Sequence, residues 1–159
     1  MVEKKETKRV ALVASKGTLD MAYALLIIAS TAASMGWEVG IFFTFYGFDI
    51  VNKRKVHRLK VASLANPAAP LPVPNILGVI PGMTAVATWM LRRMMKKQNM
   101  PTIPELLDLC RKWGVRLFAC STTMGMMSIK DEDLVEGTEC AGAAAFLEYA
   151  SKAQVTLFI

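Results

Sequence analysis

Short apolar runs alternate with helix-like segments along this chain of 159 residues, and that alternation constrains the fold most strongly. The β-like runs are residues 9–14, 38–45, 115–119 and 155–159; the helix-like segments are residues 21–35, 84–97, 102–113 and 141–152. Apolar strands that alternate with helices are typical of a parallel sheet covered on both faces. We therefore predict an α/β fold: a single three-layer domain with helices on both faces of a mainly parallel sheet of about five strands.

The middle of the chain departs from this alternation. Residues 52–65 form a basic segment that the pattern allows to be helical, and residues 66–81 hold five prolines, which exclude a regular helix. A further strand is predicted within residues 75–80. We expect residues 50–100 to be a basic, proline-rich and methionine-rich insertion in one domain that spans residues 1–159.

The net charge of +6 is concentrated in this same middle segment, since nine basic and no acidic residues lie between Asp49 and Glu105. A long block of one sign favours an anionic partner, ligand or surface, although a solvated face balanced by another subunit explains it equally well. A nucleic acid is not the expected partner, because no recognisable binding motif accompanies the charge.

Apolar residues make up 53% of the chain and charged residues 20%, which predicts a homo-oligomer that covers the surplus apolar surface. Within the segment 76–97, the uncharged and mostly apolar residues 76–91 are fewer than the roughly 20 that a membrane span needs. The whole segment is open to contact with a membrane surface, a partner or another subunit. No segment has the pattern of a signal peptide, and we expect a cytoplasmic protein.

The three cysteines are Cys110, Cys120 and Cys140, an odd number without a Cys-x-x-Cys pair. This arrangement argues against a disulfide framework and a zinc site, and no cofactor is predicted. Cys120 stands out because it ends a predicted strand and precedes Ser121, Thr122 and Thr123, residue types that begin helices. A helix N-terminus favours the thiolate, so Cys120 is the candidate nucleophile; the alternative is a buried structural thiol.

The remaining candidates have simpler explanations. Cys110 is expected to pack in the core, with a second reactive thiol as the alternative. Cys140 is predicted to begin the last helix. There it would either pack closely against its neighbours or have its thiol activated by the helix N-terminus. His57, the one histidine of the chain, is expected to be an exposed bystander. The loop of Lys16 and Gly17 could hold an anion, but it lacks the spacing of a nucleotide-binding loop.

Several segments together resemble the DsrE/DsrF-like sulfur-carrier family, in its larger single-chain subgroup with an inserted segment. They are Lys-Gly-Thr-Leu-Asp at 16–20, Phe-Phe-Thr-Phe-Tyr-Gly-Phe at 42–48, Leu-Cys-Arg-Lys-Trp-Gly-Val at 109–115, Ala-Cys-Ser-Thr-Thr-Met-Gly-Met at 119–126, and the closing Phe-Leu-Glu-Tyr-Ala and Val-Thr-Leu-Phe-Ile. The likeness covers nearly the whole chain, and it lies in the order and spacing of these segments rather than in any one of them.

The resemblance implies a DsrE-like homo-oligomer that carries sulfane sulfur, as a persulfide or thiosulfonate, on Cys120. It places the family's second cysteine at Cys110, and it implies transfer from a donor to a small TusA-like carrier. Whether such a carrier is a true sulfurtransferase enzyme stays open. The alternatives are a thiol peroxidase or redox sensor that uses the same thiol, and an oligomeric binding module at a membrane surface that needs no reactive thiol.

Overall fold

A five-stranded sheet lies at the centre of the computed structural model, which describes residues 7–62 and 82–159. The strands are β1 (Arg9–Ala14), β2 (Glu38–Phe43), β3 (Arg116–Cys120), β4 (Thr138–Ala141) and β5 (Val155–Phe158). The helices are α1 (Leu19–Ser34), α2 (Met83–Lys97), α3 (Ile103–Lys112), α4 (Ser121–Met127) and α5 (Ala143–Ser151). Short 3-10 helices lie at Phe45–Ile50, Val56–Arg58 and Asp131–Asp133.

The strand order is β4-β3-β2-β1-β5, and every neighbouring pair is parallel. The α/β prediction is therefore confirmed, with five strands and helices on both faces. The chain first moves outward from β1 through β2 and β3 to β4, and it then returns across the sheet to β5. Helices α1 and α3 pack against each other on one face of the sheet, and α5 packs on the other.

The two faces of the sheet are covered unequally. Leu12, Ile41 and Leu117 on one face are fully buried, where α1 and α3 pack against each other over the strands. On the other face α5 supplies Phe146, which stacks on Phe42 with 4.7 Å between the ring centroids. Helix α5 is short, so Leu147 and Phe158 stay 65% and 74% exposed. The sheet thus has one fully covered face and one partly open face.

One sequence prediction was wrong, and a helix that the pattern only allowed is absent from the described residues. Cys140 lies in β4 rather than at the start of the last helix, which begins at Ala143. The strand Thr-Glu-Cys-Ala sits at the sheet edge and is at least partly exposed along its length, so it lacks the apolar run that marks a buried strand. In the described part of the basic segment at 52–65, the chain forms turns and one turn of 3-10 helix at Val56–Arg58 instead of an α-helix.

The strand predicted within residues 75–80 lies outside the described residues, as does most of the proline-rich part of the predicted insertion. Helix α2 follows with its predicted length, and of its side chains only Thr88 is buried. Thr88 Oγ1 accepts the amide of Val61 at 3.1 Å, which holds α2 against the end of the basic segment. Within the described residues, no helix combines the length and the apolar character that crossing a bilayer requires.

Two glycines allow the loops at the carboxyl end of the sheet to pack backbone against backbone. A Cβ atom on Gly47 would lie 2.1 Å from the carbonyl oxygen of Ala14, and one on Gly17 would lie 2.2 Å from the carbonyl oxygen of Tyr46. The amide of Thr44 also donates to the Ala14 carbonyl at 3.0 Å. The turn after β2 therefore rests directly on the end of β1, and this contact fixes the position of Thr44.

Candidate functional site

The carboxyl ends of β2 and β3 meet at one edge of the sheet. Phe43 is in register with Ala119, so Thr44 and Cys120 are the residues that follow on neighbouring parallel strands. Polar side chains at this edge of an open α/β sheet are in the usual place for binding and chemistry. The structure thus brings the predicted nucleophile Cys120 beside a threonine that lies far from it in the sequence.

Cys120 occupies the N-cap position of α4, with extended backbone angles of φ −64° and ψ 112°. An N-cap side chain accepts hydrogen bonds from the second and third amides of its helix, a role that serine or aspartate usually fills. Here a sulfur stands at that position, and it faces the amides of Thr122 and Thr123. The thiol is only 6% exposed. The prediction that Cys120 ends a strand and precedes a helix is confirmed.

Two opposing effects act on the pKa of the Cys120 thiol. Burial raises the pKa, because a thiolate is poorly solvated inside the protein. The hydroxyl and amide of Thr123, followed by the amide of Thr122, face the sulfur as donors and lower the pKa. The hydroxyl of Thr44 lowers it further, and the net result is a pKa of Cys120 below its ordinary value. The site therefore favours a shielded thiolate.

The hydroxyl of Thr123 is held in place from the neighbouring strand. Its oxygen accepts the amide of Phe45 at 3.3 Å, and it lies 3.2 Å from the hydroxyl oxygen of Thr44. Thr44 has a single hydroxyl proton. It goes either to Thr123, in which case the proton of Thr123 is directed to the sulfur of Cys120, or to the sulfur itself. The two threonines can thus act as a short relay of hydrogen bonds that ends at the thiol.

Phe45 has an unusual backbone conformation for a bulky residue, with φ at +45°. Non-glycine residues rarely adopt positive φ, and the strain of about 1 kcal/mol or more is often found beside functional sites. Phe45 is 52% exposed. Tyr46, the next residue of the turn after β2, is 68% exposed, and Met126 on α4 is 60% exposed. We call these three side chains the thiol rim. They present exposed apolar surface on the two segments that flank the thiol.

Cys110 has a very different environment, although the sequence offered it as a second thiol. It is fully buried on α3, and its sulfur donates to the carbonyl of Leu26 on α1 at 3.9 Å. Burial raises the pKa of Cys110 to about 12. A thiol in this state is neutral at ordinary pH and packs as a small apolar side chain.

Cys140 and His57 are both exposed and both lie apart from the thiol of Cys120. In the parallel register Cys140 pairs with Ala119, one residue before Cys120. Side chains alternate along a strand, so Cys140 and Cys120 point to opposite faces of the sheet. His57 lies in a 3-10 helix, and its carbonyl accepts a hydrogen bond from Arg92 at 3.1 Å. Neither side chain is a partner of the candidate nucleophile.

Metal binding has no support in the part of the chain that the structure describes, where no three His, Cys, Asp or Glu side chains come together. The groups around Cys120 are hydroxyls and backbone amides, which stabilise an anion and do not hold a cation. The chemistry that this arrangement supports is therefore that of the thiolate itself.

Sequence reasoning missed Thr44 and the hydrogen-bonding role of Thr123. Thr123 was noted only as a residue type that begins a helix. Thr44 lies in another segment, and only the pairing of β2 with β3 brings it to the thiol. A signal was available, because Thr44 is a polar residue directly after a buried strand. Once that strand is placed next to β3, the polar residues that follow the two strands become neighbours.

Three comparisons bear on this arrangement. Residues 6–158 match the DsrE/DsrF/DrsH-like family. The chain is 39% identical to a protein named sulfur carrier protein DsrE2 from Allochromatium vinosum, over 97% of this chain and 99% of that protein. It is 33% identical to the uncharacterized protein YrkE of Bacillus subtilis, over 97% and 98% of the two chains.

The solved structures point to the same fold. The crystal structure of the ychN protein from E. coli superposes with a TM-score of 0.53 and 10% sequence identity, and it covers 96% of this chain and 100% of that one. An identity this low supports the fold alone. The match to the family extends over nearly the whole sequence, including the segments that build the edge around Cys120. The chain therefore belongs to the DsrE/DsrF/DrsH-like family.

Proposed function

We propose that this protein carries sulfane sulfur on Cys120 and passes it from a donor to an acceptor thiol. The observation that supports this most directly is a nearly buried thiol whose pKa is held below its ordinary value by hydroxyl and amide donors. The similarity to a protein named sulfur carrier protein points to the same chemistry. Sulfur transfer between thiols needs a nucleophilic thiolate and a good leaving group, but no metal or redox cofactor.

The transfer balances without an external oxidant. The thiolate of Cys120 attacks the outer sulfur of a donor persulfide, the sulfur–sulfur bond of the donor breaks, and the donor leaves as a thiolate with that electron pair. With tetrathionate as donor, the thiolate forms a thiosulfonate on Cys120 and thiosulfate leaves. An acceptor thiolate then attacks the sulfane sulfur that is bonded to the Cys120 sulfur, that sulfur–sulfur bond breaks, and the Cys120 thiolate leaves with the electron pair.

The hydrogen bonds at the site contribute to both steps. The donors from Thr123 and Thr122 stabilise the thiolate before it attacks, so that more of the protein is in the reactive form at neutral pH. The same donors stabilise the thiolate when it becomes the leaving group, which speeds the release of sulfur to the acceptor. A thiol with a lowered pKa therefore suits a carrier that must both load and unload.

We propose a small TusA-like carrier protein as the acceptor, and the thiol rim as the surface that it contacts. The exposed side chains of Phe45, Tyr46 and Met126 support this, because they lie on the turn after Thr44 and on α4, the two segments that supply donors to a sulfur that a partner must approach closely. Exposed Leu147 and Phe158 on the partly open sheet face support association of copies of this chain into a homo-oligomer. A cytoplasmic location stays a prediction.

The two alternatives have less support. A thiol peroxidase usually needs a resolving thiol, and Cys110 is fully buried with a pKa raised to about 12. A binding module at a membrane surface would use α2, where Trp89 and Met94 are 60% and 58% exposed. That module would not depend on Cys120, so the experiment below separates it from a sulfur carrier.

The proposal is tested by incubating the protein with polysulfide, tetrathionate or thiosulfate and measuring its intact mass. We expect added sulfur or thiosulfonate on the wild type and on the Cys110→Ser and Cys140→Ser variants. With Cys140 also replaced by serine, so that no exposed thiol remains, we expect none on Cys120→Ser. Cys140→Ser is the matched control, because it removes an exposed thiol from the adjacent strand. Undiminished loading of Cys120→Ser would refute the assignment of the sulfur to this residue.

A further inference from the structure

A cavity of about 750 Å³ lies beside the loop that follows β1 and the turn that follows β2. Five basic side chains line it: Lys16, Arg54, Lys55, Arg58 and Lys60. We call it the basic cavity. It is an open depression, and all five of these side chains are exposed. The sequence had indicated a basic segment and a separate loop at Lys16 that could hold an anion, and the structure brings the two together.

The positive charge of the basic cavity is only partly balanced. Asp49 is the one carboxylate among the described lining residues, and its Oδ1 pairs with Lys55 Nζ at 2.7 Å. Arg54 lies 3.6 Å from Asp133. In the described part of the chain, the other three cations of the cavity form no ion pair. They are Lys16, Arg58 and Lys60.

The wall of the basic cavity is anchored by the backbone. The amide of Leu19 donates to the carbonyl of Lys60 at 2.8 Å, which joins the loop after β1 to the basic segment. Gly17 packs against the backbone of Tyr46. The cations therefore extend from two segments whose relative position is set by close main-chain contacts. Thr18, the cap residue of α1, also lines the cavity, so the positive end of that helix dipole adds to the potential.

The basic cavity and the thiol share one turn of the chain. Tyr46 lines the cavity, while the preceding residue, Phe45, donates its amide to Thr123 beside Cys120. An anion in the cavity would therefore lie next to the turn that positions the hydroxyls around the sulfur. Unpaired cations in a concave site concentrate and hold multiply charged anions more strongly than the same charges spread over a convex surface.

We propose that the basic cavity binds a divalent tetrahedral oxyanion, and that in this protein the ligand is a sulfur oxyanion such as thiosulfate. The binding of an oxyanion rests on the cavity and its three unpaired cations alone. The choice of a sulfur oxyanion over phosphate rests on the proposed function. The cavity would then collect the anionic compounds of sulfur metabolism at the turn whose Phe45 amide contacts Thr123.

The test uses the full-length Cys120→Ser protein, so that binding is measured without sulfur transfer. Thiosulfate is titrated by calorimetry in a buffer of low ionic strength that contains no other divalent anion, and phosphate is titrated separately. We expect saturable binding of one thiosulfate per chain. We expect the Lys16→Ala/Arg58→Ala double variant to bind roughly tenfold more weakly or worse, since two of the unpaired charges are removed.

The matched control is Lys112→Ala/Lys152→Ala, which also removes two positive charges. Both lysines lie just before a strand, β3 or β5, and therefore at the amino ends of the strands, away from the basic cavity. This control variant should bind as tightly as the parent. Unsaturable binding, or equal weakening of the two double variants, would overturn the site. Phosphate binding more than about tenfold tighter than thiosulfate would overturn the assignment to a sulfur oxyanion.

The outcome is independent of the proposed function, which is read from the loading of wild-type Cys120 by polysulfide. Anion binding without any such loading would leave the site standing and remove the carrier function. Normal loading by polysulfide without anion binding would support the carrier function and remove the anion site. If both hold, thiosulfate and tetrathionate should load Cys120 more slowly in the Lys16→Ala/Arg58→Ala variant, made with Cys120 intact, than in the wild type. Loading from a neutral persulfide should be the same in the two proteins.

Discussion

Cys110 and Cys120 are both almost closed to solvent, yet their environments act on the thiol in opposite directions. Cys110 is 0% exposed and Cys120 is 6% exposed. The pKa of Cys110 is raised to about 12 by burial, whereas the pKa of Cys120 is lowered because donors from Thr123, Thr122 and Thr44 outweigh the burial. Burial alone therefore does not decide whether a cysteine is reactive. The hydrogen-bond donors that accompany the burial decide it.

The largest expected difference is in the rate of alkylation of the two thiols. At pH 7 a thiol with a pKa of about 12 is ionised to about one part in a hundred thousand, against about one part in a hundred for an ordinary thiol. In the Cys140→Ser variant, we expect iodoacetamide to modify Cys120 at least about a thousandfold faster than Cys110. Peptide mapping by mass spectrometry measures both sites, and denaturant should make the two rates similar. Comparable rates in the folded protein would contradict this comparison.

A second test uses the dependence of stability on pH. A thiol whose pKa is raised on folding stabilises the fold below its unfolded pKa, and the contribution is lost as pH rises towards the folded value. For Cys110 this window runs from 9.0 to about 12, with a loss of about 1.4 kcal/mol per pH unit in the free energy of unfolding. Cys120 has the opposite sign, because its lowered pKa contributes stability above the unfolded value that is lost as pH falls.

Urea unfolding between pH 8 and pH 11 checks this sign. Cys110→Ala should be less stable than the wild type at pH 8, because it leaves a cavity, and the difference should shrink or reverse by pH 11. Cys140→Ala serves as the control, since its thiol is exposed, and its stability should follow the wild type in parallel. The raised pKa values of Tyr149 and Tyr23 also make stability depend on pH, but they act on all three proteins alike and cancel in the differences between them. A constant difference across this range would show that Cys110 is not shifted.

A smaller effect is expected when a single donor to Cys120 is removed. Thr123→Val deletes the hydroxyl that faces the sulfur. Losing a hydrogen bond to a charged group of this kind should slow alkylation of Cys120 at pH 7 by roughly tenfold. Thr122→Val is the matched control, because only the backbone amide of Thr122 faces the sulfur. We expect slower alkylation of Cys120 in the first variant and little change in the second. Equal slowing would point to a general disturbance of α4.

The smallest effect is expected at Phe45. Phe45→Gly keeps the amide that donates to Thr123 and removes the strain of a positive φ, so stability should change by no more than about 1 kcal/mol. The alkylation rate of Cys120 should stay within about twofold of the wild type, because the donors to the sulfur remain. A large loss of thiol reactivity would mean that the strained conformation, rather than the hydrogen bonds, sets the state of the thiol.

Most of the fold could be predicted from the sequence, because the central strands are buried on both faces. Residues 9–14 were predicted as a strand with the same bounds as β1, and residues 102–113 as a helix within a residue of α3. Strand β4 could not be predicted in the same way. Its residues are half exposed at the sheet edge, and its Thr-Glu-Cys-Ala sequence has neither an apolar run nor a clear alternation.

The candidate site was predictable only in part, for a reason that lies in its construction. Cys120 follows from local pattern, since a strand end and a helix start adjoin in the sequence. Thr44 is distant in sequence, and its relation to Cys120 depends on the order of β2 and β3, which local pattern does not encode. The basic cavity likewise combines Lys16 with residues 54–60. Both features depend on pairing between distant segments.

The close packing of Gly47 against Ala14 has a consequence for how such a protein can diverge. Because main-chain contacts hold the turn after β2, the position of the Thr44 hydroxyl does not depend on which side chains the turn displays. Phe45 and Tyr46 point outward and are free to be exchanged. A descendant of this chain could therefore acquire a new partner through these two positions and still inherit the acidity of its thiol unchanged.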